Sequence, residues 1–335
     1  MSPRLSQLAT RDDSAPPDAP PARGAAMPRQ TALIVRLRNW VGEVVLAVPA
    51  LQRLQQAGYE LHLCGKRWAA DLLRGCGWPV AVYPRGLLPA ARALRQLRAQ
   101  LRATGRPVEA LLMTTSFSSA AEMRLAGLRP DGYASDARSL LLRRHWPLPR
   151  TAHAAQSYWQ LVGHFLGDVA PFPGPIGWRP HPAQMLAARE LLAAHALQER
   201  EFALLCPLSG PDDAAERKVW PAFPQLARRL RERGIPIVIC PGPGEYERAA
   251  ARFPGAVLMG NVDLGVYGAL QSLARVVIAN DTGPGHLAAA AGARLIAIYG
   301  PHSSAAWAPL GARTELFHGA DRWVDLDTVT AAALA

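Results

Sequence analysis

Short aliphatic runs alternate with stretches of helical apolar spacing along nearly the whole chain, and this alternation leaves few folds open. "ALIVRL" gives way through the turn "RNWVGE" to the helical "VVLAVPALQRLQQAG", which stops at Gly58. "ELHLCG" and "PVAVYP" then read as strands around the helical "RWAADLLRGCG". A helix at 89–104, the strand "EALLMTTS" and helical text to about residue 167 complete a first series. Five prolines in "GDVAPFPGPIGWRPHPAQ" break the pattern. It restarts with a helix at 183–196 and continues through the strands "FALLCPLSG", "IPIVICPGP" and "AVLMG", with helices between them. "VVIANDTGPGHLAAAAGARLIAIYGP", residues 276–301, closes the series with two strands joined by a glycine-rich turn and a short helix.

Regular strand and helix alternation predicts a parallel sheet wound on both faces. The chain is thus predicted to be α/β, with two Rossmann-like domains facing across a cleft at the carboxyl ends of their strands. The N-terminal domain is placed at 29–170, the linker at 171–182 and the C-terminal domain at 183–335. Residues 1–28, rich in proline, alanine and charge without apolar period, are expected to be a disordered tail. No apolar run has the length of a membrane span and the start lacks a secretory core, so a cytosolic location is expected.

The net charge of +11 suits an anionic partner: nucleic acid, a membrane surface or a phosphorylated substrate. No nucleic-acid-binding motif accompanies it. In the helix from Pro89, Leu94, Leu97 and Leu101 share a face beside Arg92, Arg95, Arg98 and Arg102. That arginine stripe reads either as a solvated face or as a dock for an anionic membrane. Cys64, Cys206 and Cys240 lie in or at the end of strand runs, and Cys76 is isolated. None has metal or CxxC spacing, which predicts free, buried thiols. No cluster of His, Cys or carboxylates has the spacing of a metal site either.

Asp281, Thr282, Gly283 and His286 sit where a strand opens into a helix. Backbone N–H groups at such an end, the positive helix dipole and glycines that let a ligand approach suit phosphate. A capped helix with an incidental histidine is the competing reading.

"NDTGPGHLAAAAGARLIAIYGP" resembles the signature of the family 9 glycosyltransferases, the ADP-heptose:lipopolysaccharide heptosyltransferases, with Gly285 where that family normally has Met. "ALIVRLRNWVGEVVLAVPALQRLQ" is similar to the family's N-terminal motif, with Glu43 in place of its Asp. "SFSS" and "ARSLLL" resemble the heptosyltransferase II branch, and "RKVWP" resembles the family's Lys-x-Trp-Pro.

The resemblance implies a GT-B fold and inverting transfer of heptose from ADP-heptose to the lipopolysaccharide inner core, on a lipid A-Kdo-heptose acceptor. Glu43 is implied as the base. Ser209, Lys218, Glu245, Asp281, Thr282, Gly283 and His286 are implied on the donor side, with Glu247 an alternative to Glu245 for the ribose. Arg36, Arg38, Lys66, Arg67 and Arg138 are candidates for the anionic acceptor, since arginine forks match carboxylate and phosphate. No cofactor is required on this reading; Mg²⁺ is at most a non-essential aid. The enzyme is expected on the inner leaflet of the cytoplasmic membrane, without nucleic-acid partners. A catalytically silent donor-binding relative and a nucleotide-sugar epimerase remain as alternatives.

Overall fold

The computed structural model describes residues 31–210, 219–301, 303–319 and 321–335. The expected tail at 1–28 and the candidate Lys218 lie outside them. The first sheet comprises β1 (Thr31–Arg36), β2 (Tyr59–Gly65), β3 (Val80–Val82), β4 (Val108–Leu112), β5 (Asp131–Ala134) and β6 (His145–Pro147). Its order is β3-β2-β1-β4-β5-β6, and every pairing is parallel. The second contains β7 (Ala203–Cys206), β8 (Ile237–Ile239), β9 (Val257–Leu258), β10 (Val276–Asn280), β11 (Leu295–Tyr299) and β12 (Thr314–His318). Its order, β12-β11-β10-β7-β8-β9, repeats the same topology, again all parallel. In each sheet the winding reverses beside the first strand, between β1 and β4 and between β7 and β10. Ligands of doubly wound sheets bind at that crevice.

Three elements of the sheets go beyond the sequence reading. β5 ("DGYA") and β6 ("HWP") are short and lack a β-branched run, and β12 is a largely solvent-facing edge strand. Their apolar content is too low to announce a strand. β5 is held by charge instead: Asp131, fully buried, takes Arg143 at 2.6 Å and Arg144 at 2.7 Å. A closing helix, Leu326–Leu334, capped by Asp325, packs over the outer face of the second sheet and was likewise unanticipated.

One apolar core lies on the outer face of each sheet, and a third runs continuously from one sheet to the other. No helix or strand occupies the stretch between Leu166 and Pro182, which is anchored by buried Ile176 and Trp178. Trp178 Nε1 donates to the Leu72 carbonyl at 2.7 Å, and Gln184 Nε2 bridges the Asp71 carbonyl (2.8 Å) and Asp263 Oδ1 (3.2 Å). Both contacts tie the halves together. All four cysteines are free; Cys64 and Cys206 are buried, Cys76 and Cys240 half-buried. Among the described residues, no helix is long and apolar enough to cross a membrane.

The arginine stripe of the helix Leu87–Ala103 is partly used inside the fold. Arg95 donates to the Leu125 carbonyl at 2.7 Å and Arg98 reaches the Ala126 carbonyl at 3.5 Å, satisfying the end of the helix Phe117–Leu125. Arg92 and Arg102 remain exposed.

The halves meet tightly at two helix N-termini, those of Val41–Gln56 and Gly283–Ala290. A Cβ added at Gly42 would lie 2.5 Å from His286 Cδ2, and one added at Gly283 would lie 2.9 Å from Val41 Cβ. Only glycine fits at this crossing. A helical Gly→Ala exchange usually stabilises by about 1 kcal/mol. Gly42→Ala is expected instead to cost about 1–3 kcal/mol, the scale of overpacking, in denaturant unfolding; a gain in stability would contradict the tight crossing.

Candidate functional site

β1 ends in Arg36, and after a short loop the helix Val41–Gln56 begins with Trp40 at its N-cap. Glu43 lies in the first turn of that helix, where the dipole favours a carboxylate, and is buried. Its Oε1 receives both Nε (2.8 Å) and Nη2 of Arg38. Arg38 Nη1 donates to Thr115 Oγ1 at 3.0 Å, and the Tyr158 hydroxyl also meets this guanidinium. Burial works against the Arg38 charge, but Glu43 and Tyr158 outweigh it and hold the guanidinium pKa above its usual value. Burial, followed by the Glu43 charge, pushes the Tyr158 hydroxyl up. Glu43 Oε2 has no hydrogen-bond partner among the described residues.

Opposite stands the turn after β10. Thr282 is the extended N-cap of the helix Gly283–Ala290, and its hydroxyl donates to the Asn280 carbonyl at 3.3 Å. Fewer amides are open here than the sequence suggests. Pro284 has none, and Gly285 N–H is already bonded to the Thr282 carbonyl at 3.0 Å, leaving Gly283 as the main backbone donor of this turn. Gly285 packs against the strand end: a Cβ there would lie 3.3 Å from the Asn280 carbonyl oxygen and 3.4 Å from Ala279 Cβ. The small residue lets the helix press onto β10. Asp281 lies against the Tyr299 hydroxyl, whose pKa is raised by burial and then by the Asp281 charge.

His286 is buried over Gly42, and its Nδ1 has no hydrogen-bond partner among the described residues. Burial, with a smaller contribution from His153, pulls its pKa down to about 4, so the ring is neutral at pH 7. His153 itself bridges the halves, its Nε2 on the Ala308 carbonyl at 2.9 Å and its Nδ1 accepting from Ala155 N–H at 3.2 Å.

The remaining donor-side candidates gather at the ends of β7 and β8. Glu245 is buried and accepts from Gly210 N–H and Gly242 N–H, each at 2.8 Å, so it splices the loop containing Ser209 to the loop after β8. Glu247 is exposed. Lys218 lies outside the described residues, but the following segment is anchored beside the turn: Trp220 N–H donates to Asn280 Oδ1 at 2.9 Å and its indole to the Val324 carbonyl at 2.9 Å.

On the acceptor side the five candidates divide. Arg36, Lys66 and Arg67 line a cavity of about 310 Å³ together with Tyr83, Arg85 and Glu122. The Arg36 guanidinium stacks 3.8 Å from the centre of the Tyr83 ring, and the Tyr83 hydroxyl is bonded to Glu122. Arg38 is committed to Glu43. Arg138 is fully buried, bonding the Tyr133 carbonyl (2.9 Å) and the Ser116 carbonyl (3.3 Å), and burial lowers its pKa to about 10. It braces the "SFSS" and "ARSLLL" segments against each other rather than opening onto the cavity. Among the described residues no three His, Cys, Asp or Glu side chains converge as a metal site.

Two Rossmann-like sheets, each presenting a helix N-terminus at its switch point, can hold a nucleotide sugar on one side and an acceptor on the other. Residues 94–330 match glycosyltransferase family 9 (heptosyltransferase). The chain belongs to that family. Similar solved structures include a family 9 glycosyl transferase from Veillonella parvula, at 18% identity and TM-score 0.75, with 88% of each chain covered. E. coli ADP-heptose lps heptosyltransferase II matches at 19% identity and TM-score 0.72, over 90% of this chain and 98% of that one. E. coli heptosyltransferase WaaC with ADP-2-deoxy-2-fluoro heptose matches at 24% and 0.63, over 91% and 97%. At these identities the likeness establishes the fold, α/β of GT-B type. No curated protein matches the chain.

For this family 9 member, several site features escape a sequence reading: Tyr158 and Thr115 around Arg38, the His153 bridge, and Tyr83, Arg85 and Glu122 at the cavity. All come from separate elements and carry no shared spacing. The neutral, buried His286 has a consequence for stability. In the unfolded chain a histidine protonates near 6.5, whereas in the fold it does so only near 4. As pH falls through that window the unfolded state takes up the proton first, so stability falls with it, by roughly 3 kcal/mol in all. Thermal unfolding from pH 7 to 4 is expected to show a shallower acid loss in His286→Gln than in the parent; parallel curves would refute it.

Proposed function

We propose that this glycosyltransferase moves a heptose from ADP-heptose onto the inner core of lipopolysaccharide, inverting the anomeric carbon. The observation that carries this reading is the meeting of the Glu43 turn with the Asp281–His286 turn, Gly283 against Val41 and Gly42. The ligands named for E. coli WaaC, ADP and ADP-2-deoxy-2-fluoro heptose, support the donor. The "SFSS" and "ARSLLL" segments favour the heptosyltransferase II branch and a lipid A-Kdo-heptose acceptor.

On this reading the diphosphate rests on Gly283 N–H, the Thr282 hydroxyl and the helix N-terminus, with His286 beneath and Ser209 at the opposite strand end. Lys218 adds a point charge. Of the two acids proposed for the ribose, Glu245 already serves two amides, so Glu247 is the freer. An acceptor hydroxyl gives its proton to Glu43 Oε2 as its oxygen bonds to the anomeric carbon. The bond from that carbon to the β-phosphate oxygen breaks, and its electron pair leaves with ADP. Helix terminus and Lys218 carry the leaving charge, so Mg²⁺ is not essential. Arg38 orients the carboxylate, while Arg36, Lys66 and Arg67 receive the anionic groups of the acceptor. The enzyme works at the inner face of the cytoplasmic membrane.

Glu43→Gln is expected to bind ADP-heptose as the parent does and to lose at least about a hundredfold in kcat, whereas Glu43→Asp keeps activity. Parent-like turnover of purified Glu43→Gln, with both substrates saturating, would remove Glu43 from the mechanism. A parent that binds the donor yet transfers nothing to authentic acceptor would be the silent relative.

A further inference from the structure

The positive charge of this chain is one-sided. Between residues 31 and 170 there are 18 Lys or Arg and 8 Asp or Glu, a net of +10, whereas between 171 and 335 there are 15 of each. The excess therefore belongs to the first half, which also carries the cavity lined by Arg36, Lys66, Arg67 and Arg85. Among the described residues Glu122 is the only carboxylate lining it, and the Tyr83 hydroxyl is bonded to that group. Arg36 is engaged by the Leu37 carbonyl (2.7 Å) and Asn39 Oδ1 (3.1 Å), so Lys66, Arg67 and Arg85 supply most of the charge that suits the cavity to anions.

Exposed apolar residues flank the cavity's lining residues along the chain. Leu87 and Leu88, 44% and 61% exposed, directly follow the lining residues Arg85 and Gly86. Phe117, 49% exposed, lies between the lining residues Ser116 and Ser118. Trp40, 74% exposed, follows the lining residue Asn39. These residues sit at the starts of three different helices, Val41–Gln56, Leu87–Ala103 and Phe117–Leu125, so separate elements bring exposed apolar residues next to residues that line the one cavity. Exposed apolar residues scattered singly, such as Leu140 and Leu186, need no explanation, whereas several beside one cavity suit a contact surface.

We propose that the apolar residues beside the cavity form a bilayer-docking edge. Leu87, Leu88 and Phe117 enter the boundary between headgroups and acyl chains, Trp40 takes the headgroup level that suits an amphipathic ring, and the surrounding cations meet anionic headgroups. Charge complementarity selects an anionic phospholipid surface as the occupant. The arrangement places the mouth of the acceptor cavity at the membrane plane, where the anionic headgroup of a lipid-linked acceptor enters without its acyl chains leaving the bilayer. It also moves the docking edge from the arginine stripe of the helix Leu87–Ala103, whose Arg95 and Arg98 are occupied within the fold, to that helix's N-terminal turn.

The inference rests on the proposed lipid-linked acceptor, and the two fail separately because vesicle binding is measured without donor or acceptor. Flotation of the full chain with phosphatidylethanolamine–phosphatidylglycerol vesicles is expected to exceed that with phosphatidylcholine vesicles by at least about tenfold, and to weaken as salt is raised. The Leu87→Gln/Leu88→Gln double variant is expected to lose about tenfold or more in binding to the anionic vesicles. It should keep the parent's melting temperature and its transfer to a delipidated, soluble core oligosaccharide. Equal binding to both vesicle types, parent-like binding by the double variant, or loss of transfer to the soluble acceptor would each overturn the docking edge.

Discussion

The first turns of two helices, Val41–Gln56 and Gly283–Ala290, pack against each other across the junction of the sheets, and the rest of the site depends on that meeting. Each end carries about half a positive charge, so their approach through Gly42 and Gly283 needs an anion between or beside them. Glu43 supplies one in the first turn of its helix, and Arg38 fixes that carboxylate through a single oxygen. A diphosphate laid on Gly283 would supply another. The buried His286 stays neutral, so it adds no third positive centre at the crossing.

From this contact follows a division of labour between the halves. The second sheet contributes small residues, backbone donors and loops spliced by Glu245, all suited to a nucleotide pressed close to the chain. The first contributes the buried carboxylate, the cation-lined cavity and nearly all the net charge. The same apolar core runs through both, which keeps the two contributions in register.

Much of this was readable in the sequence, for definite reasons. β1, β7, β8, β10 and β11 announce themselves because strands buried on both faces are continuous aliphatic runs, whereas β2 shows through its alternation of apolar and polar residues. β5 and β12 do not, because one is held by the pairing of Asp131 with two arginines and the other faces solvent, and neither force leaves a periodic trace. The Asp281–His286 turn was legible because glycine and proline mark a backbone event. The fate of the arginines was not. Arg36, Arg38 and Arg138 look alike in a string of letters, yet one lines the cavity, one serves Glu43 and one braces two backbone segments, according to tertiary neighbours up to 77 residues away.

The central claim is that the two helix N-termini form a single site, with the donor phosphates on one and the base on the other. A crystal structure of the chain with ADP bound tests it most directly. The expected density places the β-phosphate within hydrogen-bond reach of Gly283 N–H and the Thr282 hydroxyl, on the side facing Glu43. ADP bound at the carboxyl edge of the first sheet, or on the second sheet away from Gly283, would contradict the account.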